Sequence, residues 1–187
     1  MVTNGTTYLW NEGGSYMFNN GNVSVFMVAK QPPASASGYK FFFCEGGDNG
    51  SSMYSFTSSN NNLRAYVKDN NAEFITKEAG LGASVIDSGN DYAIYNWKDT
   101  GSNMKARVNA EVGGGGYNFT RPTTHSVNNL CLGGVYRSSF DIKELIITQN
   151  LTVDNMKKIE GYLAHVHSLT ESVPSLHPYK TVAPKHY

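Results

Sequence analysis

At 187 residues and 40% hydrophobic, with no apolar run near the ~20 residues of a membrane-spanning helix, the chain has the make-up of one globular domain with no membrane insertion. Fifteen basic and fifteen acidic side chains cancel, which argues against a nucleic-acid or anionic-membrane partner, since either calls for clustered Lys and Arg. Charged residues are only 16%, so Asn, Ser, Thr, Gly and 12 Tyr supply the polar surface, a composition common in extracellular and particle-surface β-proteins.

Taken from the start, Met1 to Gly5 holds neither a basic patch nor an apolar stretch, so no secretion signal is expected. Period-2 patterning then dominates. Strands are predicted near Thr6–Trp10, Val23–Ala29, Lys40–Cys44, Met53–Thr57, Leu63–Lys68, Glu73–Thr76, Tyr92–Trp97, Lys105–Ala110, Leu130–Leu132 and Phe140–Thr148. In Leu63–Lys68 the residues Leu63, Ala65 and Val67 alternate inward, and Lys105–Ala110 follows the same pattern. Val23–Ala29 is apolar on both faces, as a central strand covered on both sides would be.

Between these runs lie residues that tolerate positive φ or form Asx-turns: 20–22, 46–50, 58–62, 69–71 and 87–90. About ten strands so punctuated predict an all-β, two-sheet antiparallel sandwich or jelly roll over residues 1–187. Cys44 and Cys131 each sit in an apolar run and read as two separate buried thiols, with a disulfide as the alternative.

A single helix is predicted from Thr152 to about Ser168. Thr152 can cap it and Asp154 suits its first turn. Val153, Met156, Ile159, Leu163 and Val166 make one apolar stripe for docking. Beyond it, Val173 to Lys180 carries Pro174 and Pro178, which hold it out of helix, and residues 170–187 read as an extended surface arm. The arm suits its own domain or a neighbouring copy equally, so a homo-oligomer stays open.

The run Ile142-Lys143-Glu144-Leu145-Ile146-Ile147, then Ile159-Glu160-Gly161-Tyr162-Leu163-Ala164-His165, then His177-Pro178-Tyr179-Lys180 resembles the C-terminal signature of the concanavalin A-like lectin/glucanase superfamily in its laminin-G-like form. The resemblance covers about 40 residues, and departs where Val166-His167 replaces a common Lys-Trp. It implies a jelly roll of two antiparallel sheets. Relatives of this form occur in bacteriophage tail-fibre and other virion proteins and in bacterial surface proteins.

Glucanases of that superfamily carry a Glu-x-Asp-x-Glu strand motif, because two-carboxylate hydrolysis needs its acids at fixed separation. No strand here has it. Glu45 and Asp48 lie in a Gly-rich turn, and Glu73 and Glu78 do not share a strand face. There is no Gly-x-Ser-x-Gly elbow, and Gly113–Gly116 lacks the Lys-Ser/Thr of a phosphate loop. His165 and His167 are two apart on the helix and cannot share a metal as an i, i+4 pair could, while His177 and His186 read as solvent or hydrogen-bonding residues. No cofactor is expected. Calcium is the one candidate, through Asp48, Asp87, Asp91 or Asp99, although no run has the ligand density of a calcium loop.

Aromatics next to amides and carboxylates are the better clue, since sugars stack on Trp and Tyr while polar groups bond their hydroxyls. Trp97 with Asp99 and Asn103, and Tyr117 with Asn118 and Arg121, form the candidate ligand site. The plainer alternative makes Trp97 a core residue and Tyr117 an edge cover. Glu144 shares the parity of Ile142 and Ile146, so it points inward unless a bulge shifts the strand, and backbone donors or an Arg are expected to satisfy it. The five Asn-x-Ser/Thr sites, at Asn4, Asn22, Asn49, Asn118 and Asn150, are near chance for such a chain. These readings together predict a non-enzymatic protein of a virion surface, a capsid decoration or fibre module, with other virion proteins or cell-surface glycans as partners. A carbohydrate-binding module of a bacterial surface protein is the alternative, and a glycoside hydrolase the third reading.

Overall fold

The computed structural model of the chain describes residues 9–12, 22–30, 40–45, 53–59, 62–68, 74–79, 92–100, 103–112, 117–118, 129–132 and 141–185. They are mostly β, with one α-helix. The strands are β1 (Leu9–Glu12), β2 (Val23–Lys30), β3 (Lys40–Glu45), β4 (Met53–Ser59), β5 (Asn62–Lys68), β6 (Phe74–Ala79), β7 (Tyr92–Asp99), β8 (Asn103–Val108), β9 (Glu111–Val112), β10 (Tyr117–Asn118), β11 (Asn129–Leu132) and β12 (Asp141–Gln149). Helix α1 spans Val153–Val166. Every pairing is antiparallel. One sheet runs β1-β11-β3-β4-β5-β6; the second runs β10-β8-β7-β2-β12, with β9 also on β8.

The second sheet holds the functional interest. Its interior strand β2, flanked by β7 and β12, is buried from Val23 to Ala29, which is why its sequence is largely apolar on both faces. Val28 lies opposite Ile94 on β7, and Phe26 opposite Ile146 on β12. These residues lie under α1: Phe26, Val28 and Ile94 form one cluster with Met156, Leu163, Ala164 and, from the arm, Val173. The alternate residues Val25, Met27, Tyr95, Trp97 and Val108 are as deeply buried.

Helix α1 starts as its sequence requires. The Thr152 hydroxyl accepts from the Asn155 N–H at 3.2 Å, and Asp154 sits in the first turn. It ends in a Schellman arrangement: the Leu169 N–H donates to Ala164 O at 2.7 Å, and the Ser168 N–H to His165 O at 3.4 Å. Ser168 holds the left-handed position, φ 58°, where glycine is usual. A 3-10 turn, Thr170–Ser172, leads into the arm.

The docking face differs from the expected stripe. Val153 and Val166 are each 55% exposed, and the buried positions are Met156, Glu160, Gly161, Leu163 and Ala164. Hydrophobic periodicity ranks Glu160 and Gly161 as outward. The helix turns them inward because a half-buried arginine awaits the first and a tyrosine side chain lies over the second.

Strand β8 also stops short of its predicted end. Asn109 and Ala110 form a two-residue turn to β9, with φ 49° and 66°. The side chain of Asn109 fits this turn: its Oδ1 accepts from the Ile94 N–H at 2.9 Å while its own N–H donates to Ile94 O at 2.8 Å. The expected turns at 46–50, 69–71 and 87–90 lie outside the described residues. That near 20–22 is represented by Asn22, with φ 59°. Among the described residues no helix is long and apolar enough to cross a membrane.

Candidate functional site

The sheet pairing gathers most of the candidate ligand residues at one end of three neighbouring strands. Asp99 ends β7 and is register partner of Met104 on β8; Met104 is partner of Tyr117 on β10, and Asn103 of Asn118. Exposed Thr100 follows directly. Arg121 lies outside the described residues. Trp97, two positions down β7, is only 1% exposed and stacks on Tyr95 with ring centroids 5.9 Å apart and planes 16° from parallel. Asp99 is 0% exposed. Neither offers an open face: Trp97 and Asp99 are buried, while Asn103, Tyr117 and Asn118 stand at neighbouring register positions at the ends of β8 and β10. Burial also pushes the Tyr95 hydroxyl well above the ordinary tyrosine range.

A second cluster explains the C-terminal signature, residue by residue. Glu160 on α1 is fully buried, and Arg107 on β8 clasps it with two nitrogens: Nε donates to Oε1 at 2.7 Å and Nη2 to Oε2 at 3.2 Å. The same Nη2 donates to Ala110 O, so the left-handed turn after β8 orients the guanidinium. His177 closes the cluster from the arm. Its Nδ1 accepts from the Tyr179 N–H at 3.3 Å, which leaves the proton on Nε2, 3.5 Å from Glu160 Oε2. That distance is an electrostatic approach rather than a formed hydrogen bond. Of the two roles expected for His177, solvent or hydrogen-bonding, the buried ring takes the second.

Around this ion pair the arm is tied to the domain at three further points, Tyr179 on Gly161, His165 on Tyr179 and Val173 in the core, and one bond closes the arm on itself. Tyr179 lies over Gly161, where any Cβ would overlap the tyrosine side chain. His165 Nε2 stands 3.0 Å from Tyr179 O. Lys180 Nζ donates to Val173 O at 3.0 Å, and Val173 itself is 3% exposed. The arm therefore docks on its own chain. Glu-Gly on the helix and His-Pro-Tyr after it are two halves of one fastening.

Glu144 corrects its expectation. A bulge between Ile142 and Glu144 shifts the register, so Ile142 pairs with Ala29 and Glu144 with Val28. Glu144 keeps the parity of Ile146 and stays on the helix-covered face, while Ile142 moves off it, and the partner of Glu144 is neither backbone nor Arg. His167 Nε2 stands 2.7 Å from Oε2, and the Tyr162 hydroxyl bonds the same carboxylate. The negative charge of Glu144, then burial, then that hydrogen bond hold the Tyr162 hydroxyl above its usual range. The carboxylate bonded to an arginine is Glu160, which periodicity alone placed outward. Its signal in the sequence was Glu-Gly inside an otherwise apolar helical stretch.

Both helix-facing carboxylates are thus engaged in structural pairs. Among the described residues no three His, Cys, Asp or Glu side chains converge as a metal site would require. Of the calcium candidates Asp48, Asp87 and Asp91 lie outside the described residues.

No family model and no curated protein sequence matches the chain. Solved structures do. It is similar to the receptor-binding domain of a botulinum neurotoxin mosaic of serotypes C and D, with a TM-score of 0.66 and 11% identity, over 85% of this chain and 41% of that one. It is similar as well to the binding domain of botulinum neurotoxin serotype D, with a TM-score of 0.63 and 12% identity, over 82% of this chain and 40% of that one. The chain spans about two fifths of the length of these structures. At such identity the likeness is one of fold alone.

Proposed function

We propose that the chain is a non-enzymatic recognition module, a jelly-roll sandwich that binds cell-surface glycans at the β7–β8–β10 corner. The carrying observation is the likeness to receptor-binding domains over more than four fifths of the chain. The corner supports it: Asn103, Tyr117 and Asn118 meet at adjacent register positions, and the candidate Arg121 follows closely in sequence. An aromatic beside amides is the pairing that sugar recognition uses. Trp97 and Asp99 serve this reading as the packed floor of the corner. It calls for no cofactor.

The setting we infer is the surface of a virus particle, as a decoration or fibre module. Its support is the C-terminal signature's resemblance to laminin-G-like domains of virion proteins, together with the weakly charged polar composition. A bacterial surface module would carry the same corner.

A glycan array probed with the intact chain tests the reading. Binding to a defined set of glycans, lost in Tyr117→Ala and Asn118→Ala with unchanged thermal unfolding, is the expected result. Absence of binding to every glycan by well-folded protein would overturn it.

A further inference from the structure

The sheet order brings the chain's two cysteines opposite one another. Cys44 on β3 and Cys131 on β11 are direct register partners in an antiparallel pair, between Leu130 opposite Glu45 and Leu132 opposite Phe43. Direct partners in such a ladder have Cα atoms about 4.5 or 5.5 Å apart, depending on whether they are the non-hydrogen-bonded or the hydrogen-bonded pair. Disulfides bridge Cα separations of about 4.4–6.8 Å, so either pairing falls within reach. The sequence reading left two separate thiols and a disulfide as alternatives; the backbone makes these cysteines, distant in sequence, cross-strand neighbours.

We propose that Cys44 and Cys131 form a redox site, a dithiol that a small-molecule disulfide such as glutathione disulfide closes into a cross-strand bond. One cysteine thiolate attacks a sulfur of glutathione disulfide, giving a mixed disulfide and releasing one glutathione thiolate. The second cysteine, deprotonated, attacks the protein sulfur of that mixed disulfide and releases the second glutathione. The two protein thiols are oxidised by two electrons, the glutathione disulfide is reduced by two, and the two thiol protons end on the glutathione products. Closure ties β11 to β3 at the point where the late part of the chain joins the early part of the first sheet. A link across so long a loop restricts the unfolded chain strongly. The bond therefore acts as a staple, set in oxidising surroundings and released in reducing ones.

The test uses the intact native chain in a series of glutathione and glutathione disulfide mixtures. Each sample is quenched by alkylation and mapped by mass spectrometry without reduction. The expected result is a linked peptide pair containing Cys44 and Cys131, two hydrogens lighter than the separate peptides, with titratable thiols falling from two to none. The oxidised chain should also unfold at higher temperature than the reduced one. Cys44→Ser and Cys131→Ser should each lose the link and keep a glutathione adduct on the remaining cysteine. Two thiols that stay free at every mixture would overturn the proposal. So would separate glutathione adducts without a link, or links found only between chains. Should a serine variant fail to fold, the wild-type map decides alone.

Discussion

Gly161 on α1 lies directly beneath Tyr179 of the arm: a Cβ at that position would overlap the tyrosine's own Cβ and stand 2.9 Å from its Cγ. The glycine is there for clearance. Alanine is the better helix former by about 1 kcal/mol, so on an isolated helix Gly161→Ala would stabilise. Here the added methyl must displace the ring. We expect a net loss of about 1–3 kcal/mol, the usual range for overpacking, together with faster proteolysis of the arm. Urea unfolding and limited digestion check it, and a stabilised variant would show that the arm yields freely.

The Arg107–Glu160 pair joins sheet to helix across buried surface, with side chains 14% and 0% exposed. Removing one partner leaves the other charge stranded, so Glu160→Ala should cost about 3–5 kcal/mol. Arg107→Met with Glu160→Leu removes both charges and should recover much of that loss. A double-mutant cycle in chemical denaturation measures the coupling. Additive losses would mean that the pair contributes no mutual stabilisation.

Alkaline pH probes two tyrosines. Tyr95, through burial, and Tyr162, chiefly through the charge of Glu144, both have hydroxyl pKa values raised above the ordinary 10.0. A raised folded value means that the contribution is complete below the unfolded pKa and is lost as pH climbs through the folded one. Stability should therefore start to fall above about pH 10, where tyrosines of the unfolded chain ionise. Tyr162→Phe should make the fall shallower. Phenolate absorbance and the pH dependence of unfolding, read side by side, check it; equal slopes in both proteins would count against a Glu144 effect.

At the end of α1, Ser168 occupies a left-handed position with φ 58°. The cap's hydrogen bonds are backbone to backbone, so they survive replacement of the side chain. Ser168→Gly should therefore raise stability by about 0.5–1 kcal/mol by removing the Cβ penalty. A lowered midpoint in thermal unfolding would contradict it.

Trp97 is a core residue by its 1% exposure, and Trp97→Ala should cost about 3–5 kcal/mol. Loss of ligand binding in that variant would reflect unfolding. Trp97→Phe, milder in volume, should retain binding if the corner above it is the contact surface; the array described above reads the difference.

Much of the strand pattern was legible because each strand carries its own signal. Val23–Ala29 is apolar on both faces since both are covered, and Thr152 with Asp154 marks the helix start locally. What could not be read depends on partners far away in the chain. Glu160 turns inward because Arg107 is waiting, and no helical periodicity contains Arg107. Ile142 leaves the face it would share with Glu144 because of one bulge, whose position parity counting cannot locate. Strands β9 and β10 are two residues each, too short to show alternation. At the candidate corner, the register that joins the ends of β8 and β10 has no local signal, and the burial of Trp97 is decided by packing, not by its neighbours in sequence.

The strand order also sets a timetable. Strand β1, Leu9–Glu12, lies at the edge of its sheet and pairs with Asn129–Leu132, so during synthesis it waits for most of the chain to leave the ribosome. β2, next to the edge of the other sheet, has no hydrogen-bonding strand until Tyr92–Asp99 arrives, and it gains its second flank only with Asp141–Gln149. Pairings this distant must close large loops before any contact rewards them, which makes such topologies slow to fold. The nascent chain holds its most apolar strand uncovered for that whole interval, and β12, α1 and the arm, all made after β7, are among the elements that cover it.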